Sequence, residues 1–265
     1  MNTKTLSHQS LALIHDYLHF IPSGNPAVAD VQVPYYNNKR NGRRGELKAL
    51  VGKGSPREIL EEAKLLAFNK KFDLASAPSA AVTRFLVDNS IGIDCSGLAY
   101  YILDQESRSL GKGTLDRHIK FPFSKGFFSK IRAKMQPAKN ADVETFAHDS
   151  NSKVVALRDI KPGDFLTMTG ATDKIRNHVV VFHQIEYQNG IPTLIHYTHS
   201  IALPIDGEYG HGVRQGIITI VDMAKSIVEQ QWNEGIMTNG AASDAEPLVA
   251  RAKASRSEIR RLLWF

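Results

Sequence analysis

Apolar residues recur every three to four positions through most of the first 110 residues, the pattern of helices that bury one face. Ser55 before Pro56 is a favourable N-cap followed by proline in the first turn, so a helix is expected to begin there. The run Ile21-Pro22-Ser23-Gly24 ends the preceding helix. The pattern predicts four helices, at about residues 6–20, 57–68, 79–87 and 95–107.

After about residue 158 the apolar period shortens to two, as in strands with one buried face. Asn189-Gly190, between two such segments, is a typical two-residue hairpin turn. Helices first and an antiparallel sheet afterwards indicate an α+β fold. Strands are predicted at about residues 163–169, 178–186, 193–198 and 216–221, with a helix near residues 223–232.

Residues 111–151 lack a clear period and mix basic, aromatic and polar residues, so we interpret them as an insertion or a lid-like segment. A chain of 265 residues with 42% hydrophobic content can bury one full core. We therefore expect a single domain over residues 1–265. It would carry an N-terminal helical embellishment at about residues 1–90 and the insertion at about residues 111–151.

The 33 Lys and Arg residues exceed the 27 Asp and Glu residues, which gives a net charge of +6 and a pI near 9.3. Such a charge could attract an anionic partner such as nucleic acid, a cell-wall polymer or a lipid surface. The charges are scattered, however, which favours an ordinary solvated surface and no specific nucleic-acid partner.

With one cysteine the chain forms no intramolecular disulfide and no zinc site of paired cysteines. The first 20 residues lack the unbroken apolar core of a signal peptide, and no transmembrane segment is visible. We therefore expect a cytoplasmic location, with non-classical export as the alternative. The oligomeric state leaves no trace in the sequence.

The single cysteine, Cys95, follows Asp94 at the start of an apolar run of helical period. Asp94 fits an N-cap better than a catalytic acid, and it places the thiol on the first turn of a helix. Free N–H groups and the helix dipole stabilise a thiolate there, so a lowered pKa is expected. A lone cysteine in an apolar stretch is nevertheless more often an inert core residue, so the rest of the chain must decide.

A cysteine nucleophile needs a base and a group that orients the base. His178 opens the most hydrophobic strand, although a histidine at a strand end can also simply meet solvent. His196, in the next strand, can orient His178 if the register allows. His183 and His199 lie an odd number of positions from His178 and His196 respectively, so each faces the opposite way in a regular strand. This pattern predicts a Cys–His–His triad and disfavours a metal; no cofactor is expected.

The string Asp94-Cys95-Ser96-Gly97-Leu98, the Pro162-Gly163-Asp164 turn, the His-headed Val-rich strand and the strand-borne histidine together resemble the NlpC/P-sixty family of papain-like cell-wall cysteine peptidases. The resemblance covers about residues 90–105 and 158–200. It implies a nucleophile helix packed on an antiparallel sheet, with Cys95 as nucleophile, His178 as base and His196 as the orienting residue. The implied reaction is hydrolysis of amide bonds in peptidoglycan stem peptides, so the expected partner is a peptide or a peptidoglycan fragment.

The usual Pro-Tyr stretch of that family does not directly precede the cysteine here. We expect Val33-Pro34-Tyr35-Tyr36-Asn37 to be a displaced equivalent, in which Tyr35 would help to line the site. The resulting mechanism is a thioester acyl-enzyme whose oxyanion is held by the backbone N–H groups of Cys95 and Ser96.

Two other functions remain open on the sequence. A papain-like acyltransferase, or an amidase acting on a non-wall substrate, would use the same residues. A non-catalytic basic module would instead bind nucleic acid or wall polymer through the aromatic stretch at residues 121–128, with Cys95 inert.

Overall fold

The computed structural model describes residues 2–37, 48–170, 177–234 and 247–265 of the chain. Within these ranges eight α-helices accompany an open antiparallel sheet of eight strands, which confirms the α+β class. The helices are α1 (His8–Leu18), α2 (Pro56–Lys70), α3 (Ser79–Asp88), α4 (Cys95–Ser109), α5 (Phe127–Met135), α6 (Pro137–Asn140), α7 (Val143–Ala147) and α8 (Pro247–Lys253). The strands are β1 (Asn2–Thr5), β2 (Ser152–Val154), β3 (Phe165–Thr169), β4 (His178–Gln188), β5 (Ile191–Ile201), β6 (Gly212–Thr219), β7 (Gln231–Asn233) and β8 (Arg256–Leu262).

The four helices predicted from apolar spacing are α1 to α4, and local capping explains where two of them begin. At the start of α2 the Glu58 N–H donates to Ser55 Oγ at 3.3 Å, and Glu58 Oε2 accepts from the Ser55 N–H at 2.8 Å. At the start of α4 the Gly97 N–H donates to Asp94 Oδ1 at 2.6 Å, which confirms Asp94 as the N-cap. Each cap satisfies backbone donors that the first helical turn leaves without partners.

The sheet has the order β2-β8-β3-β4-β5-β6-β7, and β1 also pairs with β4. The two longest strands, β4 and β5, are joined by the predicted turn, in which Asn189 and Gly190 have φ values of 53° and 79°. Positive φ at both positions matches the twist of a tight hairpin. The hairpin therefore carries His178 and the histidines of β5 on adjacent strands.

The predicted helix near residues 223–232 is wrong. A 3₁₀ turn at Ile227–Glu229 is followed by the edge strand β7, in which Trp232 pairs with Ile218 of β6. The Trp232 indole N–H donates to the Ile227 carbonyl at 3.0 Å, and its ring packs against Tyr197. Burial of this indole against the sheet outweighs the helical spacing of the local sequence.

Apolar residues on the two faces of the sheet belong to two separate cores. Val179 and Val181 of β4 pack with α1 to α4, whereas the alternating residues Val180 and Phe182 pack with Trp232 and the apolar side of α8. The first core also includes several buried apolar residues between positions 115 and 146. The predicted embellishment and the predicted insertion therefore share one apolar cluster with the cysteine helix. Across the described ranges, no helix has the length and apolar character needed to cross a bilayer.

Candidate active site

Cys95 is the first residue of α4, and its thiol lies against the start of β4. The side chain is buried, and the Val179 backbone N–H lies near enough to act on the pKa of the thiol. Gly97 lets a different segment approach the start of α4, because a Cβ there would lie 2.7 Å from the Gly52 carbonyl oxygen. Ser200 Oγ of β5 donates to the Ile93 carbonyl at 2.7 Å, so the segment before Cys95 is also fixed to the sheet.

The pKa of the Cys95 thiol is raised from its ordinary value to about 11. Burial is the main cause and the negative charge of Asp94 adds to it, while the positive charges of Lys53 and Arg251 oppose it. The prediction of a lowered pKa is therefore wrong, because loss of hydration outweighs the helix N-terminus. At neutral pH the resting residue is a thiol.

Three buried side chains form a line that begins at His178. Nε2 of His178 lies 2.8 Å from Nδ1 of His199, and Nε2 of His199 lies 3.0 Å from Oε1 of Glu234. The same carboxylate oxygen accepts from the Tyr197 hydroxyl at 3.2 Å. His178 is 1% exposed, and the side chains of His199 and Glu234 are 0% exposed, so the line is closed to water.

The charges along this line favour a neutral His178. Burial lowers its pKa well below the ordinary 6.5, and the nearby His199 imidazole and the positive charge of Arg251 lower it further. Burial acts to raise the pKa of Glu234, but His199, Arg214 and hydrogen bonds outweigh it, and the pKa is lowered. A carboxylate beside Nε2 of His199 favours a proton on that nitrogen, so Nδ1 accepts from Nε2 of His178. Nδ1 of His178 is then free to accept a proton.

His196 does not orient His178, which corrects the sequence prediction. His196 pairs with Gln184, towards the middle of β4, and its Nε2 lies 3.0 Å from Glu186 Oε1. The partner of His178 is His199, because Val181 pairs with Thr198 and the antiparallel order brings His199 to the start of β4. A histidine was expected in this position, but the register selects a different one.

His183 occupies a β-bulge between the paired residues Phe182 and Gln184. Its Nδ1 lies 2.9 Å from Thr198 Oγ1, and burial lowers its pKa to about 4. His183 and His196 therefore form a second histidine pair, with ring centroids 6.1 Å apart, that is separate from the His178 line.

A buried lysine that the sequence analysis overlooked supports the cysteine from the other side. Lys53 Nζ donates to Asp94 Oδ1 at 2.9 Å, to Ser96 Oγ at 2.5 Å and to the Ala141 carbonyl at 3.1 Å. The side chains of Lys53 and Asp94 are each 5% exposed. The hydroxyl of Ser96 is therefore occupied by Lys53, so that only the backbone N–H of Ser96 remains for the expected oxyanion site. The sequence gives no signal for a buried ion pair at Lys53, which lies between two glycines.

Two backbone donors at the start of α4 belong to the residues expected to form an oxyanion site. In the described part of the chain, the N–H groups of Cys95 and Ser96 have no backbone or side-chain acceptor. Tyr35 pairs in parallel with Ile93, two residues before the cysteine, and its ring meets His211 edge-on. The structure thus brings Tyr35 beside the nucleophile segment, and its role in lining the site stays a prediction.

Among the described residues no hydrogen bond joins the Cys95 thiol to the His178 imidazole, whose Nε2 contacts His199. The described ranges also contain no group of three or more side chains arranged to hold a metal ion. Comparison of the chain with protein-family models, with curated proteins and with solved structures gives no match.

Proposed function

We propose that the protein is a cysteine hydrolase of papain-like arrangement that cleaves amide bonds in peptidoglycan stem peptides. The observation that carries the proposal is the buried line from Glu234 through His199 to His178, with contacts of 3.0 and 2.8 Å. This line ends one residue before Val179, whose N–H lies near the Cys95 thiol. A purely structural cysteine has no need of a carboxylate and two imidazoles held in order beside it.

In the first half of the reaction, Nδ1 of His178 takes the proton of the Cys95 thiol as the sulfur attacks the carbonyl carbon of the amide. A sulfur–carbon bond forms, the carbon–nitrogen bond breaks, and His178 gives the proton to the leaving amine. In the second half, His178 takes a proton from water, whose oxygen attacks the thioester. The sulfur–carbon bond breaks and the proton returns to the sulfur.

His199 and Glu234 act as positioning residues in this proposal. They hold the imidazole of His178 in one tautomer and stabilise the positive charge that it carries after it takes the thiol proton. The N–H groups of Cys95 and Ser96 stabilise the oxyanion of the tetrahedral intermediate. The Cys95 thiol and the His178 imidazole have to come into hydrogen-bond contact when substrate binds, as catalytic hydrogen bonds often tighten only in the complex.

The substrate class is supported by the motif string around Cys95 and by the order cysteine, strand-opening histidine, second strand histidine along the chain. An acyltransferase would share every step up to the thioester and differ only in the acceptor. Product analysis distinguishes them, because hydrolysis adds the elements of water and transfer adds the acceptor amine or alcohol.

The test is digestion of purified muropeptides followed by mass spectrometry of the products. We expect cleavage by the wild type, no cleavage by Cys95→Ala, and a rate lower by about 100-fold or more for His199→Ala. His196→Ala is the matched control, because it removes a neighbouring histidine of the same strand outside the line, and it should change the rate by less than about threefold.

Full activity of Cys95→Ala would refute the nucleophile, and equal losses for the two histidine variants would refute the role of the line. If the wild type leaves muropeptides intact yet forms a covalent adduct at Cys95 with an electrophilic peptide, the cysteine chemistry stands and the wall substrate is wrong.

A further inference from the structure

A strongly basic segment lies outside the candidate active site, at residues 117–141. It contains seven Lys and Arg residues and no Asp or Glu, whereas the rest of the chain, with 26 Lys and Arg and 27 Asp and Glu, is close to balanced. Large apolar side chains are nevertheless exposed along it: Phe123, Phe127, Phe128, Ile131 and Met135 are 56, 73, 84, 42 and 77% exposed. We call residues 117–141 the basic aromatic segment. Single exposed apolar residues are ordinary, but five within one short segment are not.

Helix α5, at the centre of this segment, presents its apolar side to solvent. At about 100° per residue, the four exposed apolar side chains at positions 127, 128, 131 and 135 fall within an arc of about 100°. The side that faces the protein carries the small residue Ala133, which is 1% exposed. This is the reverse of an ordinary surface helix, whose apolar arc packs on the core.

Basic side chains border the exposed apolar arc on both sides. On the same helical projection Lys134 lies next to one edge of the arc and Arg132 next to the other, and both are exposed. An apolar strip between rows of cations is the arrangement of helices that lie in the interface of an anionic bilayer, with aromatic rings among the acyl chains and cations at the headgroups.

From this arrangement we propose that the basic aromatic segment docks the protein on an anionic lipid surface, with the apolar arc of α5 in the interface. A second copy of the chain is disfavoured as the occupant, because a symmetric contact would bring two sets of seven cations together. A nucleic acid is disfavoured because its phosphates would meet the central apolar strip, and Ile131 and Met135 offer no ring on which a base can stack.

The basic aromatic segment contacts the candidate active site directly. Its last residue, Ala141, accepts a hydrogen bond from Lys53, which also contacts Asp94 and Ser96 on either side of Cys95. Docking through α5 would therefore hold the nucleophile helix at a fixed height above the lipid surface. The proposal does not depend on the hydrolase activity, since it rests on the shape and charge of this segment alone.

The test is co-sedimentation of the full chain with vesicles of phosphatidylglycerol and phosphatidylcholine in equal parts, compared with phosphatidylcholine alone. At a salt concentration of about 0.1 M we expect partitioning to be at least about tenfold stronger on the anionic vesicles. Phe127→Ser combined with Phe128→Ser should weaken it by about tenfold or more. The control Phe68→Ser removes a phenylalanine that is 83% exposed on α2 and should have little effect.

The charge contribution is tested with Arg132→Gln combined with Lys134→Gln, which we expect to weaken anionic binding by about tenfold or more. Lys64→Gln combined with Lys70→Gln removes the same net charge from exposed positions of α2 and should have a smaller effect. Higher salt should reduce the difference between the two double variants.

Equal partitioning on anionic and neutral vesicles would overturn the proposal. So would phenylalanine variants that behave like the Phe68 control. Binding of a single-stranded DNA of about 20 nucleotides that is lost in the charge variant but not in the phenylalanine variant would assign the segment to nucleic acid instead. A dimer in light scattering that disappears with the phenylalanine pair would assign the arc to a second copy.

Discussion

Replacement of Lys53 by methionine should destabilise the protein far more than the loss of an ordinary surface ion pair. The ammonium contacts Asp94, Ser96 and the Ala141 carbonyl, at 2.9, 2.5 and 3.1 Å, with little access to water. Methionine fills a similar volume but leaves the Asp94 carboxylate buried without its counter-charge. Breaking a buried pair in this way costs about 3–5 kcal/mol in the free energy of unfolding, a large part of a total of about 5–15 kcal/mol.

A second substitution separates the effect of the unpaired buried charge on stability from the effect of altered packing. Asp94→Asn keeps a good N-cap for α4 and removes the charge, so Lys53→Met combined with Asp94→Asn leaves no unpaired buried ion. We expect the double variant to recover most of the stability and to lie within about 2 kcal/mol of the wild type. Arg57→Met is the control, because the Arg57–Glu61 pair is exposed, at 87 and 61%, and solvent screens such pairs so that they contribute little to stability.

Urea unfolding followed by far-ultraviolet circular dichroism measures these free energies, and alkylation of Cys95 as a function of pH gives a second readout. Lys53 lowers the pKa of the thiol and Asp94 raises it, so Lys53→Met should shift alkylation to higher pH and Asp94→Asn to lower pH. If Lys53→Met costs no more than Arg57→Met, or if the double variant is no more stable than the single, the ion pair does not have the energetic role argued here.

Two further predictions concern the buried histidine line. In Gly216→Ala the new Cβ would lie 2.3 Å from the Tyr197 hydroxyl oxygen, so the tyrosine, whose hydroxyl donates to Glu234, has to move. We expect the rate of muropeptide cleavage to fall by about tenfold or more. An unchanged rate would show that the line does not need Tyr197. The pKa of His178 is lower in the folded chain than the ordinary 6.5, and that of His183 is lowered to about 4, so the unfolded chain binds protons that the folded chain does not. The free energy of unfolding should therefore be highest above pH 6.5 and should decrease as the pH falls below 6.5. The decrease should be smaller in His178→Gln. Urea midpoints that do not change from pH 7 to about pH 5 would contradict this prediction.

Four of the eight described helices and the four strands in the middle of the chain could be predicted because their signals are local. Apolar spacing and capping residues mark α1 to α4, and the shorter period marks β3 to β6. Strand β8 could not be predicted in this way, because its sequence is rich in charge although it lies inside the sheet between β2 and β3. Arg260 of this strand is 1% exposed; Glu258 of the same strand contacts it, but its other carboxylate partner, Asp149, is distant in sequence and is supplied only by the tertiary structure.

The choice between the two histidines of β5 had a signal in the sequence. Equal counting outwards from the Asn189-Gly190 turn places His199 opposite Val180, two positions from His178, and places His196 opposite His183. The observed pairing is shifted by one residue from this count between Glu186 and Gln184. The bulge at His183 cancels the shift, so that the pairing agrees with the count again from Phe182 onwards. The spacing from the turn thus carried more information than the parity of the positions.

The raised pKa of Cys95 and the lowered pKa of His178 have a joint consequence for the proposed chemistry. A thiol with a pKa of about 11 beside a neutral imidazole stores no ion pair in the resting protein. The thiolate would then arise only as the proton moves to His178 during attack, and the new positive charge appears at the head of a line that ends in a carboxylate, Glu234. Because that charge forms in a closed, weakly polar environment, the carboxylate stabilises it more strongly than it would in water. In the proposed mechanism the histidine line therefore stabilises the transition state more than the resting protein. A positioning residue has to act in this way if it is to raise the rate of the reaction rather than tighten the binding of substrate.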